Sequence, residues 1–166
     1  MTDALLPADI NDLARRVVEA NARAGRRVAV AESCTGGLVA AALTEIAGSS
    51  AVLERGFVTY SNAAKQQQLG VSGEIIETFG AVSIACVWAM AQGAVRHSAA
   101  DVAVAISGIA GPGGGTPNKP VGTVVLARAQ REGGGEPEAE TRYYGDTSRA
   151  EIRRQATLAA LELLLP

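Results

Sequence analysis

The chain has 166 residues, of which 48% are hydrophobic and 19% are charged, and its formal net charge is −2. This length and composition fit one globular domain with a sizeable core, and they exclude a disordered chain. The slightly negative charge argues against long nucleic acid as a partner, although a local basic cluster could still bind a small anion.

The sequence also lacks the features of an exported or membrane protein. No segment approaches the roughly 20 consecutive apolar residues of a membrane span, and the N-terminus has no basic region followed by a long apolar run. Cys34 and Cys86 are too few and too far apart for a disulfide framework. We therefore expect a cytoplasmic protein that does not contact a membrane.

Helical periodicity and short apolar runs alternate along the chain. Serines at three positions, Ser61, Ser83 and Ser148, are well placed to cap the helices that follow them. In chain order, the predicted elements are a helix at 10–24, a strand at 27–31, a helix at 38–47, a strand at 56–60, a helix up to Leu69, a helix at 84–95, a strand at 102–106, a strand at 121–129, a turn at 133–137, a strand at 140–144 and a final helix after Ser148.

This order predicts the fold class. Strands that alternate with helices favour a parallel sheet covered on both faces, and the two last strands indicate a hairpin before the closing helix. We expect an α/β fold, a single three-layer α/β/α domain over residues 1–166 with a mixed, mainly parallel sheet.

A candidate nucleophile lies where the first strand meets the second helix. The apolar run ends in Glu32-Ser33-Cys34-Thr35, and Gly36 and Gly37 then open an alanine-rich helix. Unpaired N–H groups at a helix start stabilise anions and developing oxyanions. This turn therefore suits a serine nucleophile, although a serine or threonine there could equally be a simple helix cap.

A nucleophilic serine needs a base, and the chain offers few candidates. His97 is the only histidine and follows an apolar helix, so a Ser-His-Asp triad is not expected. Lysine is scarce, with only Lys65 and Lys119 present. A buried lysine with a lowered pKa can replace histidine as the base. Tyr60 and Lys65 flank a predicted helix start and could converge on one spot, although both could also be ordinary surface residues.

Two further features could bind an anion. The loop 107–120 is rich in glycine and proline, and such loops either present N–H groups to phosphate or form tight turns. Arginines also gather around the last helix, at positions 142, 149, 153 and 154. Cations near a helix start oppose the helix dipole, so an anionic ligand or Glu151 is expected to offset them.

Other chemistries have less support. One histidine, two separated cysteines and no close carboxylate cluster leave no plausible metal-ligand set, so we predict neither a metal nor a cofactor. Cys34 is an alternative nucleophile, because a thiol at a helix N-terminus is expected to have a lowered pKa.

Several segments resemble one known family, the CinA C-terminal domain family. The matching segments occur in the family's order and span most of the chain: 31–37 (Ala-Glu-Ser-Cys-Thr-Gly-Gly), 60–65 (Tyr-Ser-Asn-Ala-Ala-Lys), 80–83 (Gly-Ala-Val-Ser), 107–115 with 119–122, and 145–154. One departure is visible. The family usually reads Gly-Asp-Arg, whereas here Thr147 and Ser148 intervene before Arg149.

The resemblance implies a metal-independent amidohydrolase that converts nicotinamide mononucleotide into nicotinate mononucleotide and ammonia in pyridine-nucleotide recycling. It implies Ser33 as nucleophile, with Tyr60 and Lys65 as activating groups, Lys65 acting directly or through Tyr60. Because of the departure, the phosphate-binding arginine is open, with Arg153 favoured over Arg149. The predicted substrate-binding residues are Glu32, Thr35, Gly36, Gly37, Asn62, Ser107, Gly108, Gly111, Gly113, Gly114, Arg142, Arg149 and Arg153.

Two hypotheses stay open at this point. The first is the serine amidohydrolase, a small-molecule enzyme that we expect to be a homo-oligomer because its alanine-rich helix faces suit assembly. The second is a non-catalytic nucleotide- or phosphate-binding module, or a regulatory subunit linked to competence or DNA damage. The glycine loop and arginines alone would be sufficient for it.

Overall fold

The computed structural model describes residues 3–132, 138–145 and 147–166, and it contains a five-stranded sheet flanked by helices. The turn predicted at 133–137 and residue Asp146 lie outside the described residues. The strands are β1 (Val28–Glu32), β2 (Leu53–Val58), β3 (Val102–Gly108), β4 (Thr123–Gln130) and β5 (Glu138–Tyr143). The helices are α1 (Ala8–Ala24), α2 (Leu38–Thr44), α3 (Asn62–Leu69), α4 (Gly73–Phe79), α5 (Ile84–Arg96) and α6 (Arg149–Leu163), with a 3₁₀ turn at Ser49–Ala51.

The sheet is mixed and has the strand order β2-β1-β3-β4-β5. Strand β1 pairs in parallel with both β2 and β3, while β4 is antiparallel to β3 and to β5. Strand β4 is thus the one strand that runs against the others, which confirms the mixed, mainly parallel sheet. The carboxyl ends of β2, β1 and β3 meet at one edge, where α/β proteins usually bind ligands.

Alternating side chains on the central strands produce the three layers. In β1 and β3, valines and Ile106 face a cluster formed with α1, α2 and α6, whereas the intervening alanines face α5. Period-two alternation sends successive side chains to opposite faces of a sheet. The small alanines allow α5 to lie close to the strands, and Leu69 and Ile76 of α3 and α4 complete that layer.

Helix starts agree closely with the sequence. The hydroxyl oxygens of Ser61, Ser83 and Ser148 accept hydrogen bonds from backbone N–H groups three residues on, at 3.0, 3.1 and 3.1 Å. All three predicted caps are therefore confirmed. Gly25 ends α1 in the left-handed region with φ of 63°, as its glycine suggested.

Some boundaries differ from those predicted. Strand β2 covers Leu53–Val58 rather than 56–60, because an edge strand with one neighbour tolerates the polar Glu54 and Arg55. Helix α2 ends at Thr44, before the predicted 47, and α4 was not predicted. A helix as short as α4 gives no repeated apolar spacing to detect. None of the helices in the described part of the chain has the length and hydropathy to span a bilayer.

Candidate active site

Ser33 lies directly after the central strand β1, in a turn that leads into α2. Its backbone N–H donates to the Ile106 carbonyl of β3 at 3.0 Å, and its own carbonyl accepts from the Gly36 N–H at 3.1 Å. Gly36 and Gly37 have φ angles of 59° and 105°, a region that residues with a Cβ rarely adopt. The two glycines thus let the chain reverse sharply at the carboxyl edge of the sheet.

The structure brings Lys65 into direct contact with this serine. Because Ser61 begins α3 at this edge, Lys65 lies one helical turn along and extends beneath the turn. Its Nζ is 3.0 Å from Ser33 Oγ, 2.8 Å from the Thr59 carbonyl and 3.1 Å from the Tyr60 carbonyl. Lys65 is only 1% exposed. Burial lowers the pKa of its amine, while nearby Cys86 and Cys34 act in the opposite direction.

The side chain of Tyr60 makes no hydrogen bond to Ser33 or Lys65. Its phenol is 62% exposed, and the hydroxyl lies 3.4 Å from Nη2 of Arg149. The group that Tyr60 offers to Lys65 is its backbone carbonyl. In the described structure the Ser33–Lys65 contact is therefore direct, and the Tyr60 phenol does not bridge the two.

Glu32 holds the start of α2 from inside the protein. One carboxylate oxygen accepts from the Thr35 hydroxyl at 2.6 Å and from the backbone N–H groups of Val39 and Gly37 at 2.9 and 3.3 Å. The other oxygen accepts from the Ala40 N–H at 3.1 Å. The sequence predicts that N–H groups near Gly36 stabilise an anion or oxyanion, whereas in the structure the Glu32 carboxylate accepts from the N–H groups of Gly37, Val39 and Ala40. Glu32, Thr35, Gly36 and Gly37 support the turn rather than line the cavity described below.

We expect Glu32→Gln to lower the free energy of unfolding by about 1.5–3 kcal/mol, the range for hydrogen bonds to a charged group. The glutamine amide has a single accepting oxygen, and its NH₂ group can only donate, so donors at the start of α2 lose a partner. Urea unfolding measures the change. Exposed Glu77→Gln on α4 is the matched control and should shift stability by less than about 0.5 kcal/mol. Equal effects of the two substitutions would contradict this role of Glu32.

A cavity of about 280 Å³ opens beside Ser33 and Lys65. It brings together most of the predicted site, including residues of the turn, of α3, of the glycine loop and of α6. The predicted residues in its wall are Ser33, Tyr60, Asn62, Lys65, Ser107, Gly108, Gly111, Gly113, Gly114 and Arg149. The wall also contains Cys34, Ala81, Val82, Ile109 and Ala110, which were not predicted as substrate-binding. Ala81 and Val82 could have been predicted from the sequence, because they belong to segment 80–83, which matches the family.

The arginines do not act as one group. Arg149 lies in the cavity wall, and its Nη1 donates to the Gly111 carbonyl at 2.6 Å. Arg153 instead donates to the Cys34 and Thr35 carbonyls, at 3.0 and 3.3 Å. Arg149, and not the favoured Arg153, is therefore the arginine that lines the cavity. Arg142 lies elsewhere, paired with Glu140 of β5 at 2.8 Å and with Glu162 of α6 at 3.9 Å. Arg142, a predicted substrate-binding residue, is therefore not part of the wall of that cavity.

Two other candidates are also placed by the structure. Burial raises the pKa of the Cys34 thiol to about 11, which contradicts the activated thiol expected at a helix N-terminus. Lys119 donates to the Phe79 carbonyl at the end of α4, at 2.6 Å. Neither side chain makes a hydrogen bond like the one between Ser33 Oγ and Lys65 Nζ.

The structure is thus an α/β fold in which a serine hydroxyl contacts a buried lysine amine at the carboxyl edge of a largely parallel sheet. The chain belongs to the CinA C-terminal domain family, whose model matches residues 10–166.

Known relatives support this assignment over nearly the whole chain. Nicotinamide-nucleotide amidohydrolase PncC of Escherichia coli K12 is 51% identical over 164 residues, which are 99% of this chain and 95% of that protein. A CinA-like protein of Akkermansia muciniphila is 50% identical over 161 residues, which are 97% of this chain but 38% of that protein. The chain thus spans little more than a third of this longer relative. The crystal structure of the competence/damage inducible protein CihA from Agrobacterium tumefaciens is 53% identical and superposes with a TM-score of 0.93, covering 97% of this chain and 96% of that one.

Proposed function

We propose that this chain hydrolyses the carboxamide of nicotinamide mononucleotide to nicotinate mononucleotide and ammonia. The observation that carries the proposal is the 3.0 Å contact between Ser33 Oγ and Lys65 Nζ in the wall of a cavity. The full-length similarity to an enzyme named for this reaction supplies the substrate class. The single-domain organisation over 1–166, the cytoplasmic location and the homo-oligomeric state stay predictions.

The surroundings of Lys65 favour an uncharged amine. A neutral amine has two N–H donors and one lone pair. In the uncharged form that we propose, the two N–H bonds go to the Thr59 and Tyr60 carbonyls and the lone pair accepts the Ser33 O–H. Within the described residues, no carboxylate lies within ion-pair distance of Lys65. Burial without a counter-ion disfavours the ammonium form.

The reaction then has two covalent steps. Lys65 removes the Ser33 proton while Oγ attacks the carboxamide carbon, giving a tetrahedral oxyanion. As that intermediate collapses, the C–N bond breaks, Lys65 returns the proton to the leaving nitrogen, and ammonia departs from an ester on Ser33. Water, deprotonated by Lys65, attacks this ester and releases the carboxylate product with Ser33 restored.

The site offers candidate donors for the oxyanion of the tetrahedral intermediate and for the phosphate of the substrate. The Cys34 backbone N–H follows the nucleophile directly and makes no hydrogen bond to another residue in the described part of the chain. It is therefore our candidate donor to the oxyanion. Arg149 and the loop from Gly111 to Gly114 lie across the same cavity and supply positive charge and N–H groups for the phosphate. The Tyr60 phenol beside Arg149 is suited to contact the nucleotide.

Ammonia release tests the function. The purified protein should convert nicotinamide mononucleotide into equal amounts of ammonia and nicotinate mononucleotide, at the same rate with and without EDTA. Absence of turnover would reject the proposal. Saturable binding of the nucleotide in calorimetry, without turnover, would instead favour the binding-module hypothesis. Arg149 and the glycine loop in the cavity wall could also bind the phosphate of a nucleotide that is not hydrolysed.

We expect kcat/KM to rise with pH through the Lys65 pKa and then to become constant, because only the uncharged amine can accept the Ser33 proton. The midpoint should lie below the ordinary pKa of lysine, since burial lowers the Lys65 pKa. A pH–rate profile measures this. A profile that is flat, or that falls over the same range, would contradict an uncharged Lys65 as the base.

The same shift affects stability. Between the folded and unfolded pKa values of Lys65 the unfolded chain binds more protons, so the free energy of unfolding increases with pH in that window. The difference between wild type and Lys65→Met should isolate this contribution, because the other titrating groups are shared.

A further inference from the structure

We infer that Arg153 is a positioning residue that fixes the backbone turn carrying Ser33, an inference that rests on the proposed role of Ser33. Arg153 lies on α6, far along the chain from that turn. Its Nε donates to the Cys34 carbonyl at 3.0 Å and its Nη2 to the Thr35 carbonyl at 3.3 Å. One side chain thus holds the carbonyls of the two residues that follow the nucleophile.

The guanidinium of Arg153 has different hydrogen-bond partners from that of Arg154, the next residue in the chain. Arg154 pairs with the carboxylates of Asp9 and Glu151. In the described part of the chain, Arg153 has no carboxylate within ion-pair distance, and its donors meet backbone carbonyls instead. A charged donor on a carbonyl makes a stronger hydrogen bond than a neutral one, so the two contacts are strong restraints on the turn.

These contacts set the orientation of the turn. In a trans peptide the C=O and N–H groups point in opposite directions. Holding the Cys34 and Thr35 carbonyls towards α6 therefore turns the Thr35 and Gly36 N–H groups away from it, and the Gly36 N–H then closes the turn on the Ser33 carbonyl at 3.1 Å. A Cβ built at Gly36 would lie 3.5 Å from Nη2 of Arg153, so the glycine and the guanidinium pack against each other.

Arg153 works together with Glu32. The Glu32 carboxylate accepts the Thr35 hydroxyl and the N–H groups of α2, while Arg153 takes the carbonyls. The turn is thus held from two sides by groups of opposite charge. Because a misplacement of about 1 Å can cost roughly 10²-fold in rate, this restraint decides whether Ser33 Oγ stays within reach of Lys65 Nζ.

Helix α6 also joins this turn to the substrate cavity. Arg149 lies one helical turn before Arg153 and reaches the cavity wall. The Thr157 hydroxyl, one turn later, donates to the Arg153 carbonyl at 2.8 Å. The same helix therefore positions the nucleophile through Arg153 and contacts the cavity through Arg149, which fixes the distance between them.

The test compares Arg153→Met, Arg153→Lys and the adjacent control Arg154→Met. Arg153→Met keeps the apolar stem but removes the donors, so we expect kcat to fall about 10²-fold with KM within about threefold. Arg153→Lys keeps a charged donor and should recover roughly half of that loss on a logarithmic scale. Arg154→Met should leave kcat within twofold, and thermal unfolding of all three variants identifies effects of stability alone.

A second readout separates this inference from the choice of substrate. Acylation of Ser33 by p-nitrophenyl acetate, followed by mass spectrometry, reports on the Ser33–Lys65 pair without nicotinamide mononucleotide. Arg153→Met should slow this acylation by a factor similar to its effect on kcat. If wild type acylates Ser33 but releases no ammonia from the nucleotide, the proposed substrate fails while the role of Arg153 stands. A rise in KM at unchanged kcat, acylation as fast as in Arg154→Met, or a wild type unlabelled at Ser33 would overturn the inference.

Discussion

Replacing Lys65 with methionine is expected to reduce kcat for carboxamide hydrolysis by about 10³-fold, within the range for loss of a general base. Methionine fills a similar volume but has no lone pair on nitrogen to accept the Ser33 proton. Because no carboxylate of the described residues pairs with the buried amine, its removal leaves no unpaired buried charge, and we expect the fold to stay intact. Steady-state ammonia release and a thermal unfolding curve measure the two effects.

Lys119→Met is the matched control, since it removes the other lysine of the chain. Lys119 contacts the Phe79 carbonyl rather than the cavity, so this variant should keep kcat within about threefold. If Lys65→Met retained more than a tenth of the wild-type kcat, another group would have to serve as the base.

Ser33→Ala is expected to have the largest effect, a loss on the order of 10⁶-fold in kcat, as for removal of other serine nucleophiles. The variant should still bind nicotinamide mononucleotide, because Arg149 and the glycine loop are unchanged. Trapping an acyl adduct on the peptide that contains Ser33, by acid quenching and mass spectrometry of the wild type, would identify the nucleophile independently.

Cys34→Ala distinguishes the two candidate nucleophiles of the turn. A thiol whose pKa is raised to about 11 is almost entirely protonated at neutral pH, so its removal should cost far less than Ser33→Ala. A loss with Cys34→Ala as large as that with Ser33→Ala would favour the thiol and contradict the proposed mechanism.

The layers and the Ser33–Lys65 pair could be predicted because local signals determine them. Capping serines, a turn with two glycines and the scarcity of lysine all act over short stretches of sequence. The hydrogen-bonded roles of Glu32 and of the Tyr60 carbonyl could not be predicted, because a turn sequence does not show which partner reaches it from inside the fold. A motif identifies the residue type, whereas packing decides which atom of that residue is used.

The arginines also show that the contacts of a side chain cannot be predicted from its sequence motif alone. Arg149 and Arg153 are one turn apart on α6 and share a face. Which of them reaches the cavity and which reaches the turn after Ser33 depends on where the helix crosses the sheet. The position of the Arg142 side chain is explained by its ion pairs with Glu140, on the same strand, and with Glu162. Glu162 is 20 positions away in sequence, and only the folded chain brings it close. Contacts between residues this far apart in the chain cannot be predicted from the spacing of residues in a single sequence.

Ser33 and Lys65, the proposed nucleophile and base, lie in parts of the fold that differ in local stability. Ser33 follows a central strand, whereas Lys65 is carried by an eight-residue helix that comes directly after the edge strand β2. Segments near the margin of a sheet open at lower free energy than its centre. Warming should therefore separate the amine from the hydroxyl first, so that catalysis is lost, reversibly, several degrees before circular dichroism registers melting.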